Sequence, residues 1–266
     1  MGQAYRPGRS ATLSRDWDAE QDFLQAYAPN DYPSVALAVD LVVLAVAEGA
    51  LHSALVHRGM HPFMGGLALP GGFVGPREST GQAAYRELAE ETGLDLGRMP
   101  VHVEQLATYS DPDRDPRMRV VSVAHLALLA TDGRILPALS AGSDAAAAAW
   151  HPVHQVLEST MAFDHAIILR DGLDRLSGKM EYSTVAAQLV PEEFTMTQLR
   201  TVYEATWNTR LAAGNFTRKM MPHLQDTGRK SRAATGAPAA LFTATRSPIH
   251  PPLTRPGTGV EARARE

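Results

Sequence analysis

Three glutamates lie close together in the sequence, at spacings that an α-helix would bring onto one face. Glu90 and Glu91 follow Glu87 by three and four residues, so the three side chains would project from the same side of a helix. Like charges at this distance repel one another and raise each other's pKa unless a counter-charge is present. Carboxylate oxygens are the ligands that Mg²⁺ and Mn²⁺ prefer. The spacing therefore predicts a site for Mg²⁺ or Mn²⁺ on Glu87, Glu90 and Glu91.

The neighbouring residues predict the helix that would position these carboxylates. Ser79 or Thr80 can cap its N-terminus, and Gly93 can end it in the left-handed conformation that favours glycine. Arg86 lies one turn before Glu90, from where its guanidinium can hold that carboxylate by a charge-assisted hydrogen bond.

A pair of glycines precedes the predicted helix. Gly71 and Gly72 follow Pro70 in a turn whose backbone can approach a ligand closely and offer its N–H groups. We therefore expect both glycines to contact the substrate.

The turn and the helix together match the pattern G-x5-E-x7-R-E-U-x-E-E-x-G-U, in which U is an apolar residue. The fixed positions are filled by Gly72, Glu78, Arg86, Glu87, Leu88, Glu90, Glu91, Gly93 and Leu94. The stretch thus resembles the Nudix box without departure, and the alternative is a charged, solvent-facing helix with ordinary caps. The resemblance implies Mg²⁺-dependent hydrolysis of a diphosphate in a nucleoside diphosphate linked to a further moiety. It also implies that Glu87, Glu90 and Glu91 hold the metal, that Arg86 orients these acids, and that Glu78 supports the geometry of the loop and helix.

Many Nudix enzymes carry one more acid on a loop outside the box. Asp144, in the segment Gly142-Ser143-Asp144, is the candidate here, as a general base or a further metal contact. A role in a turn or a helix cap is the alternative.

Composition sets the broad class of protein. A hydrophobic content of 44% and a charged content of 20% over 266 residues fit a globular protein. No apolar run approaches the roughly 18 residues of a membrane span, and the polar first residues do not resemble a signal peptide, so we expect a cytoplasmic protein without a membrane partner. The absence of cysteine excludes disulfides, thiolate catalysis and cysteine–zinc sites.

The segments around the box predict strands. The valine-rich run 35–46 is typical of a buried strand, and a Glu48-Gly49 turn followed by the strand 51–58 predicts a hairpin. Residues 101–109 and 119–130 have strand character as well. With the resemblance to the Nudix family, these elements imply an α+β fold in which an α/β/α sandwich surrounds a mixed sheet.

A loop rich in arginine and aspartate connects the last two predicted strands. This loop and the strand after it are similar to the ADP-ribose branch of the Nudix family and its regulator relatives. That similarity implies that Arg114, Arg117 or Arg119 contacts phosphates of the ligand. The alternative is a solvated loop whose charges neutralise one another.

The last third of the chain has a different pattern. An amphipathic helix is predicted with Phe194 or Thr195 at its entry, Asn208-Thr209 breaks it, and Asn215 can cap a second helix. A basic loop at 229–232 and an apolar segment at 240–242 follow. The order of helix, helix, basic loop and strand is typical of a winged helix-turn-helix domain.

The charge of this region supports contact with nucleic acid. Residues 195–246 contain eight basic and two acidic side chains, a net charge of +6, and since the whole chain has −4 the remainder has −10. The predicted DNA contacts are Arg218 and Lys219 on the second helix and Arg229, Lys230 and Arg232 on the wing. The alternative is a basic domain that serves dimerisation or protein binding.

Residues 33–246 as a whole resemble the NrtR-like, Nudix-related transcriptional regulators of NAD metabolism. The resemblance implies an ADP-ribose-like ligand, double-stranded operator DNA and a homodimer. These regulators often carry an eroded Nudix box, whereas the box here is complete, which favours retained hydrolysis. The alternative function is a housekeeping ADP-ribose-type pyrophosphohydrolase whose C-terminal domain dimerises or tethers the enzyme.

The predicted segments follow from these patterns. They are a flexible leader (1–17), a Nudix domain (18–160), a helical connector (161–190), a winged helix DNA-binding domain (191–246) and a disordered tail (247–266).

Overall fold

The computed structural model of the chain describes residues 17–95, 97, 99, 101–142, 145–231, 238–245 and 247–256. The described residues up to Ser34 belong to one unit, which contains helix α1 (Trp17–Ala26) and a 3₁₀ turn at Pro29–Asp31. The described residues from Val35 onward belong to the second unit. The predicted leader lies, up to residue 16, outside the described residues. None of the helices in the described ranges is long and apolar enough to cross a membrane.

The second unit begins with a mixed sheet and the helices that cover it. Its elements in chain order are β1 (Ala36–Ala47), β2 (Ala50–Arg58), β3 (Leu67–Ala68), β4 (Gly71–Phe73), α2 (Thr80–Thr92), β5 (Val101–Tyr109), β6 (Val120–Leu129), β7 (Ala145–Pro152), α3 (Val153–Val156) and α4 (His165–Tyr182). In the part of the chain that the structure describes, the strand order is β3-β2-β1-β6-β5, with β4 beside β1 and β7 beside β2. β1 and β6 are parallel, while the other pairs are antiparallel.

The predicted hairpin is confirmed. β1 and β2 are joined by Glu48 and Gly49, which have φ angles of 51° and 75°. Two consecutive positive φ angles are typical of the two-residue turns whose twist matches that of the flanking strands.

Both faces of β1 are buried, which explains its uninterrupted apolar sequence. The odd-numbered residues of the range Val39–Val43 share a buried cluster with Leu88 of α2. Val42 and Leu44 share another with Ile168 of α4. Because successive residues of a strand point to opposite faces, one strand contacts a helical layer on each side. The α/β/α sandwich around a mixed sheet is therefore confirmed.

The winged helix domain is also confirmed. Its elements are a 3₁₀ helix (Thr184–Leu189), β8 (Phe194–Thr195), α5 (Met196–Trp207), α6 (Ala213–Met220), a 3₁₀ turn (Met221–His223), β9 (Leu224–Lys230) and β10 (Ala240–Ala244). β10 lies between β8 and β9. Thr195 and Gln198 form a capping box at the start of α5, and Asn208 ends that helix with a φ of 48°.

The start of the second helix differs from the prediction. α6 begins at Ala213, since the backbone N–H of Phe216 already donates to the carbonyl of Ala212. Asn215 therefore lies inside the helix and does not cap it. Its side-chain oxygen accepts a hydrogen bond from Arg218 instead.

The segment 247–256, predicted as the first half of a disordered tail, packs against the rest of the protein. Ile249 and Leu253 are buried, and their backbone N–H groups donate to the carbonyls of Tyr182 and Glu181 at the end of α4. Two isolated apolar side chains four residues apart thus pack against the protein in a proline-rich segment whose sequence has no apolar periodicity. Residues 257–266 lie outside the described part.

One hydrophobic cluster extends from the sheet through α4 into α5. It includes Leu44 of β1, Ile168 of α4 and Tyr203 of α5. The predicted boundaries at residues 160 and 190 stay predictions, because the buried core continues across both.

Candidate active site

Helix α2 carries the three glutamates and has strong signals at both ends. Ser79 accepts a hydrogen bond from the backbone N–H of Gln82, and the Gln82 side chain accepts one from the backbone N–H of Ser79. Gly93 ends the helix with a φ of 73°. The predicted helix and both caps are therefore confirmed, with Ser79 as the N-cap and Thr80 as the first helical residue.

Arg86 joins the carboxylates of the box. Its guanidinium donates to Glu78 at 2.5 and 3.1 Å, to Glu87 at 2.7 Å and to Glu90 at 3.0 Å. The predicted contact with Glu90 is present, and the contacts with Glu78 and Glu87 add to it. Because one cation neutralises part of the negative charge of three acids, the carboxylates can lie close together on one helix face.

These contacts change how readily two of the acids ionise. The hydrogen bond from Arg86, helped by one from the backbone N–H of Gly75, lowers the pKa of Glu78 to about 2. Burial raises the pKa of Glu87, against the opposing effect of Arg86, and the neighbouring charges of Glu90 and Glu78 raise it further.

The glycine turn packs directly on the glutamates. The backbone N–H of Gly71 donates to the Glu91 carboxylate at 3.0 Å. A Cβ atom on Gly72 would lie 2.3 Å from the carboxylate oxygen Oε1 of Glu87, and one on Gly71 would lie 2.2 Å from the carbonyl oxygen of Val39. Only residues without a side chain allow β4 to lie this close to α2 and β1.

A cavity of about 340 Å³ opens in front of these groups. It is lined by both glycines of the turn, by all three predicted metal ligands and by two of the three arginines of the arginine-rich loop, namely Gly71, Gly72, Glu87, Glu90, Glu91, Arg114 and Arg117. The site residues predicted from two distant segments thus meet at one place.

Arg114 is held in a buried network of charged and polar groups. Its Nε and Nη2 atoms donate to the Asp164 carboxylate at 2.9 and 2.7 Å, and Nη2 also donates to Asp40 at 3.1 Å. Asp40 further accepts a hydrogen bond of 2.5 Å from Ser122 and lies 3.3 Å from Nε2 of His165. Burial alone would lower the pKa of Arg114, but its hydrogen bonds to the two carboxylates outweigh burial and raise it. Arg114 is therefore a fixed cation in the cavity wall.

Arg117 lies at the mouth of the same cavity. Its guanidinium donates to Asp115 at 2.7 and 3.0 Å and lies 5.5 Å from the ring centre of Phe73 and 5.8 Å from that of Phe163. Arg119 instead donates to the carbonyl of Ser110 and is not among the residues that line this cavity. The three arginines are thus separated, and their predicted phosphate contacts stay a prediction.

Four residues that were not predicted as site residues also line the cavity with charged or aromatic side chains, namely Asp40, Arg58, Phe163 and His165. One signal was visible, since Asp40 interrupts the apolar run of β1. The position of Phe163, which has a φ of 52°, depends on how the chain enters α4 and had no signal in the sequence. Asp144, the predicted additional acid outside the box, lies outside the described residues.

Carboxylate oxygens suit a hard divalent cation. A cation could reach them from the cavity, because all three glutamates line it and the Glu90 side chain is 47% exposed. Within the described ranges, however, no three acidic or imidazole side chains already converge as a metal-binding group. Mg²⁺ usually takes one or two protein carboxylates and completes its shell with water and substrate phosphates. The carboxylates therefore fit a divalent cation that completes its shell with other ligands, and the predicted metal ligands stay a prediction.

Basic side chains occupy the exposed surface of the winged helix domain. Arg218 and Lys219 are exposed on α6, while Phe216 and Met220 of the same helix are buried. On the wing, Arg229 and Lys230 are exposed at the end of β9, and Arg229 forms an ion pair with Glu193. The third predicted wing contact, Arg232, lies outside the described residues.

Comparison with known protein families accounts for both parts of the chain. Residues 36–172 match the model of the NUDIX domain, and residues 186–244 match that of the NrtR DNA-binding winged helix domain. The chain belongs to the NrtR branch of the Nudix family. Its membership rests on most of the chain, since an ADPR responsive transcriptional repressor, NtrR, from Acinetobacter baylyi is 32% identical over 87% of this chain and 90% of its own length.

Two further relatives resemble the chain to different extents. Shewanella oneidensis NrtR in complex with a 27-mer DNA is 31% identical, with a TM-score of 0.68 over 82% of this chain and 99% of that one. The NUDIX domain of the same protein, in complex with ADP ribose, is 32% identical, with a TM-score of 0.53 over 59% of this chain and 98% of that one. An ADP-ribose pyrophosphatase from Methanocaldococcus jannaschii is 40% identical over 44% of this chain and 63% of its own length.

Proposed function

We propose that this protein binds ADP-ribose, or a closely related nucleoside diphosphate derivative, in the cavity in front of α2 and uses that ligand to control binding of its winged helix domain to operator DNA. One observation carries the proposal. A single cavity collects the box glutamates with Arg114 and Arg117, in a chain whose other domain exposes a basic helix and a basic wing. The Acinetobacter relative, named as an ADPR responsive repressor, supports the same pairing of ligand and DNA.

The residues of the cavity would share the work of binding a diphosphate. Arg117 and Arg114 provide positive charge on one wall, where a guanidinium can donate two parallel hydrogen bonds to a phosphate. Glu87, Glu90 and Glu91 would hold Mg²⁺ or Mn²⁺ on the other. Such an ion, when bound, would neutralise the diphosphate and lower the pKa of a water molecule.

We also propose that the protein hydrolyses its ligand, giving AMP and ribose 5-phosphate from ADP-ribose. The complete box supports this, since all of its acids are present and Arg86 donates hydrogen bonds to three of them, Glu78, Glu87 and Glu90. The similarity to an ADP-ribose pyrophosphatase supports it as well. Release of AMP by the purified protein with Mg²⁺ tests the proposal, and the double substitution Glu90→Gln and Glu91→Gln should abolish it. Full activity in the double variant would exclude the assigned metal site.

The DNA-binding half of the proposal predicts a homodimer on a two-fold symmetric operator, with α6 of each copy in a major groove. Gel shifts with genomic fragments, with and without ADP-ribose, test it. A protein that binds no fragment better than random DNA would contradict the proposed regulator. By the resemblance of its domains, the regulated genes would belong to NAD metabolism.

A housekeeping ADP-ribose-type pyrophosphohydrolase is the second candidate, and the complete box favours it. In that case the C-terminal domain would dimerise or tether the enzyme. AMP release without any DNA binding over a range of salt concentrations would favour this second function over the first, because phosphate contacts weaken steeply as salt rises.

A further inference from the structure

Asp164 contacts the arginine in the wall of the cavity in the way that a ligand phosphate would. The Asp164 carboxylate accepts two hydrogen bonds from Arg114, one from Nε and one from Nη2. This forked arrangement is the geometry in which arginine recognises both carboxylates and phosphates. The Arg114 side chain is only 4% exposed, so its guanidinium cannot turn away to water. A phosphate that approaches this edge of Arg114 must therefore compete with Asp164.

Asp164 is also the residue at which α4 begins. It is the N-cap of the helix, yet its side chain makes no capping hydrogen bond, so its carboxylate serves Arg114 and not the helix. The residue before it, Phe163, has a φ of 52°, a conformation that costs energy for a bulky side chain. His165, the first residue of α4, accepts a hydrogen bond from the backbone N–H of Leu69 in the segment that leads into the glycine turn. The start of α4 is thus held by the ligand cavity.

The other end of α4 is held by the DNA-binding domain. The hydroxyl of Tyr203 in α5 donates to the carbonyl of Met180, and the Trp207 indole of α5 donates to the carbonyl of Ser177. Gly172 lets the middle of the helix pack against Val42 of β1. The helix has 18 residues, which correspond to about 27 Å. A movement of its first turn therefore reaches α5 through one rigid element.

We propose that Asp164 is the positioning residue through which the ligand acts on DNA binding: a phosphate of the bound nucleotide replaces the Asp164 carboxylate on Arg114, and the release of Asp164 lets α4 shift against the sheet and carry the winged helix domain with it. This inference rests on the proposed function. Coupling between two sites requires an element that both can influence, and α4 contacts Arg114 of the cavity at one end and α5 at the other.

The substitution Asp164→Asn tests the inference, because asparagine keeps the size of the side chain but removes the charge that competes with a phosphate. Without ligand, the variant should bind the operator fragment with the affinity that wild type shows when saturated with ADP-ribose. Addition of ADP-ribose should then change the DNA affinity by less than about twofold. The variant should also bind ADP-ribose about tenfold more tightly than wild type, since no carboxylate has to be displaced.

The matched control is Asp171→Asn, which removes a carboxylate from the same helix. Asp171 accepts a hydrogen bond from the hydroxyl of Tyr109 and, unlike Asp164, is not among the carboxylates that accept hydrogen bonds from Arg114. This variant should keep the wild-type response of DNA binding to ADP-ribose. If Asp164→Asn is poorly folded by circular dichroism, Asp164→Ser provides a second test, because serine is a favourable uncharged N-cap.

DNA binding is measured by fluorescence anisotropy with the genomic fragment that wild type binds best. ADP-ribose binding is measured by calorimetry, after a check that the protein does not consume the ADP-ribose during the measurement. An undiminished response to ADP-ribose in both Asp164 variants would overturn the inference while leaving the proposed function intact. A wild-type protein whose DNA binding does not respond to ADP-ribose would instead overturn the proposed regulator.

Discussion

The close contact between Gly72 and Glu87 predicts that Gly72→Ala will reduce activity far more than stability. A Cβ at position 72 would lie 2.3 to 2.7 Å from three atoms of the Glu87 carboxylate group. These atoms are the far end of a flexible side chain, so Glu87 can rotate away while the backbone stays in place. The rotation breaks its hydrogen bond of 2.7 Å with Arg86.

The loss of stability should be small. A hydrogen bond between charged groups contributes about 1.5–3 kcal/mol, and since the Arg86 side chain is 36% exposed to water we take the lower end, about 1.5 kcal/mol. In a protein of this size that corresponds to a decrease in Tm of roughly 3–6 °C. A displacement of about 1 Å at a group that positions the reactants can reduce kcat/KM about 100-fold, which is the decrease we expect in the proposed AMP release from ADP-ribose.

Gly71→Ala provides the matched comparison, since a Cβ there would lie 2.2 Å from the backbone carbonyl oxygen of Val39. The backbone of β1 cannot rotate away, so β4 must separate from it. We expect a loss of about 3 kcal/mol and a decrease in Tm of roughly 6–12 °C. Thermal unfolding and AMP release measured on both variants decide the matter. Wild-type activity in Gly72→Ala, or a wild-type Tm in Gly71→Ala, would refute the reasoning.

Three further results should follow from the structure. Arg114→Ala leaves the buried Asp40 and the half-buried Asp164 without their cation and should lower the free energy of unfolding in urea by about 3–5 kcal/mol, whereas Arg119→Ala on the same loop should stay within about 0.5 kcal/mol of wild type. Because the pKa of Glu78 is lowered from 4.5 to about 2 in the folded protein, its contribution to stability is present above pH 4.5 and is lost as the pH falls through 2. The free energy of unfolding, measured in urea, should therefore decrease more steeply between pH 5 and pH 2 in wild type than in Glu78→Gln. Equal dependence on pH in the two proteins would contradict the contact between Glu78 and Arg86. Arg218→Ala should weaken DNA binding at all sequences and reduce the salt dependence of log Kd by about 1, with Arg134→Ala, an exposed arginine outside the winged helix domain, as the unchanged control in the same titration.

Helix α2 and its flanks were predictable because their signals are local. Caps, turn glycines and helical spacing act over a few residues, so Ser79, Arg86, Glu90 and Gly93 have the contacts or conformations expected of them. The hairpin of β1 and β2 was predictable for the same reason. Asn215 shows the limit of such local signals, since the true start of α6 depends on how the chain leaves α5.

The cavity wall opposite α2 was only partly predictable. The arginine-rich loop was recognised as a candidate ligand contact, but the sequence did not distinguish Arg114, which is buried between carboxylates, from Arg119, which turns back to its own loop. The partners of Arg114 lie 74 and 50 residues away in the chain. Such distant pairs form only when β1, β6 and the start of α4 come together.

The sequence by itself determined the chemical character of this protein: a complete Nudix box with its helix, and a basic winged helix domain in the same chain. Both follow from residue types at short spacings, where the geometry of one helix or one turn is enough. Only the tertiary structure decided which arginines line the cavity with the box, that Asp164 accepts two hydrogen bonds from Arg114, and that a single helix connects the cavity to α5. Those arrangements depend on packing between segments far apart in the chain, and packing of that kind leaves no periodic pattern in the sequence.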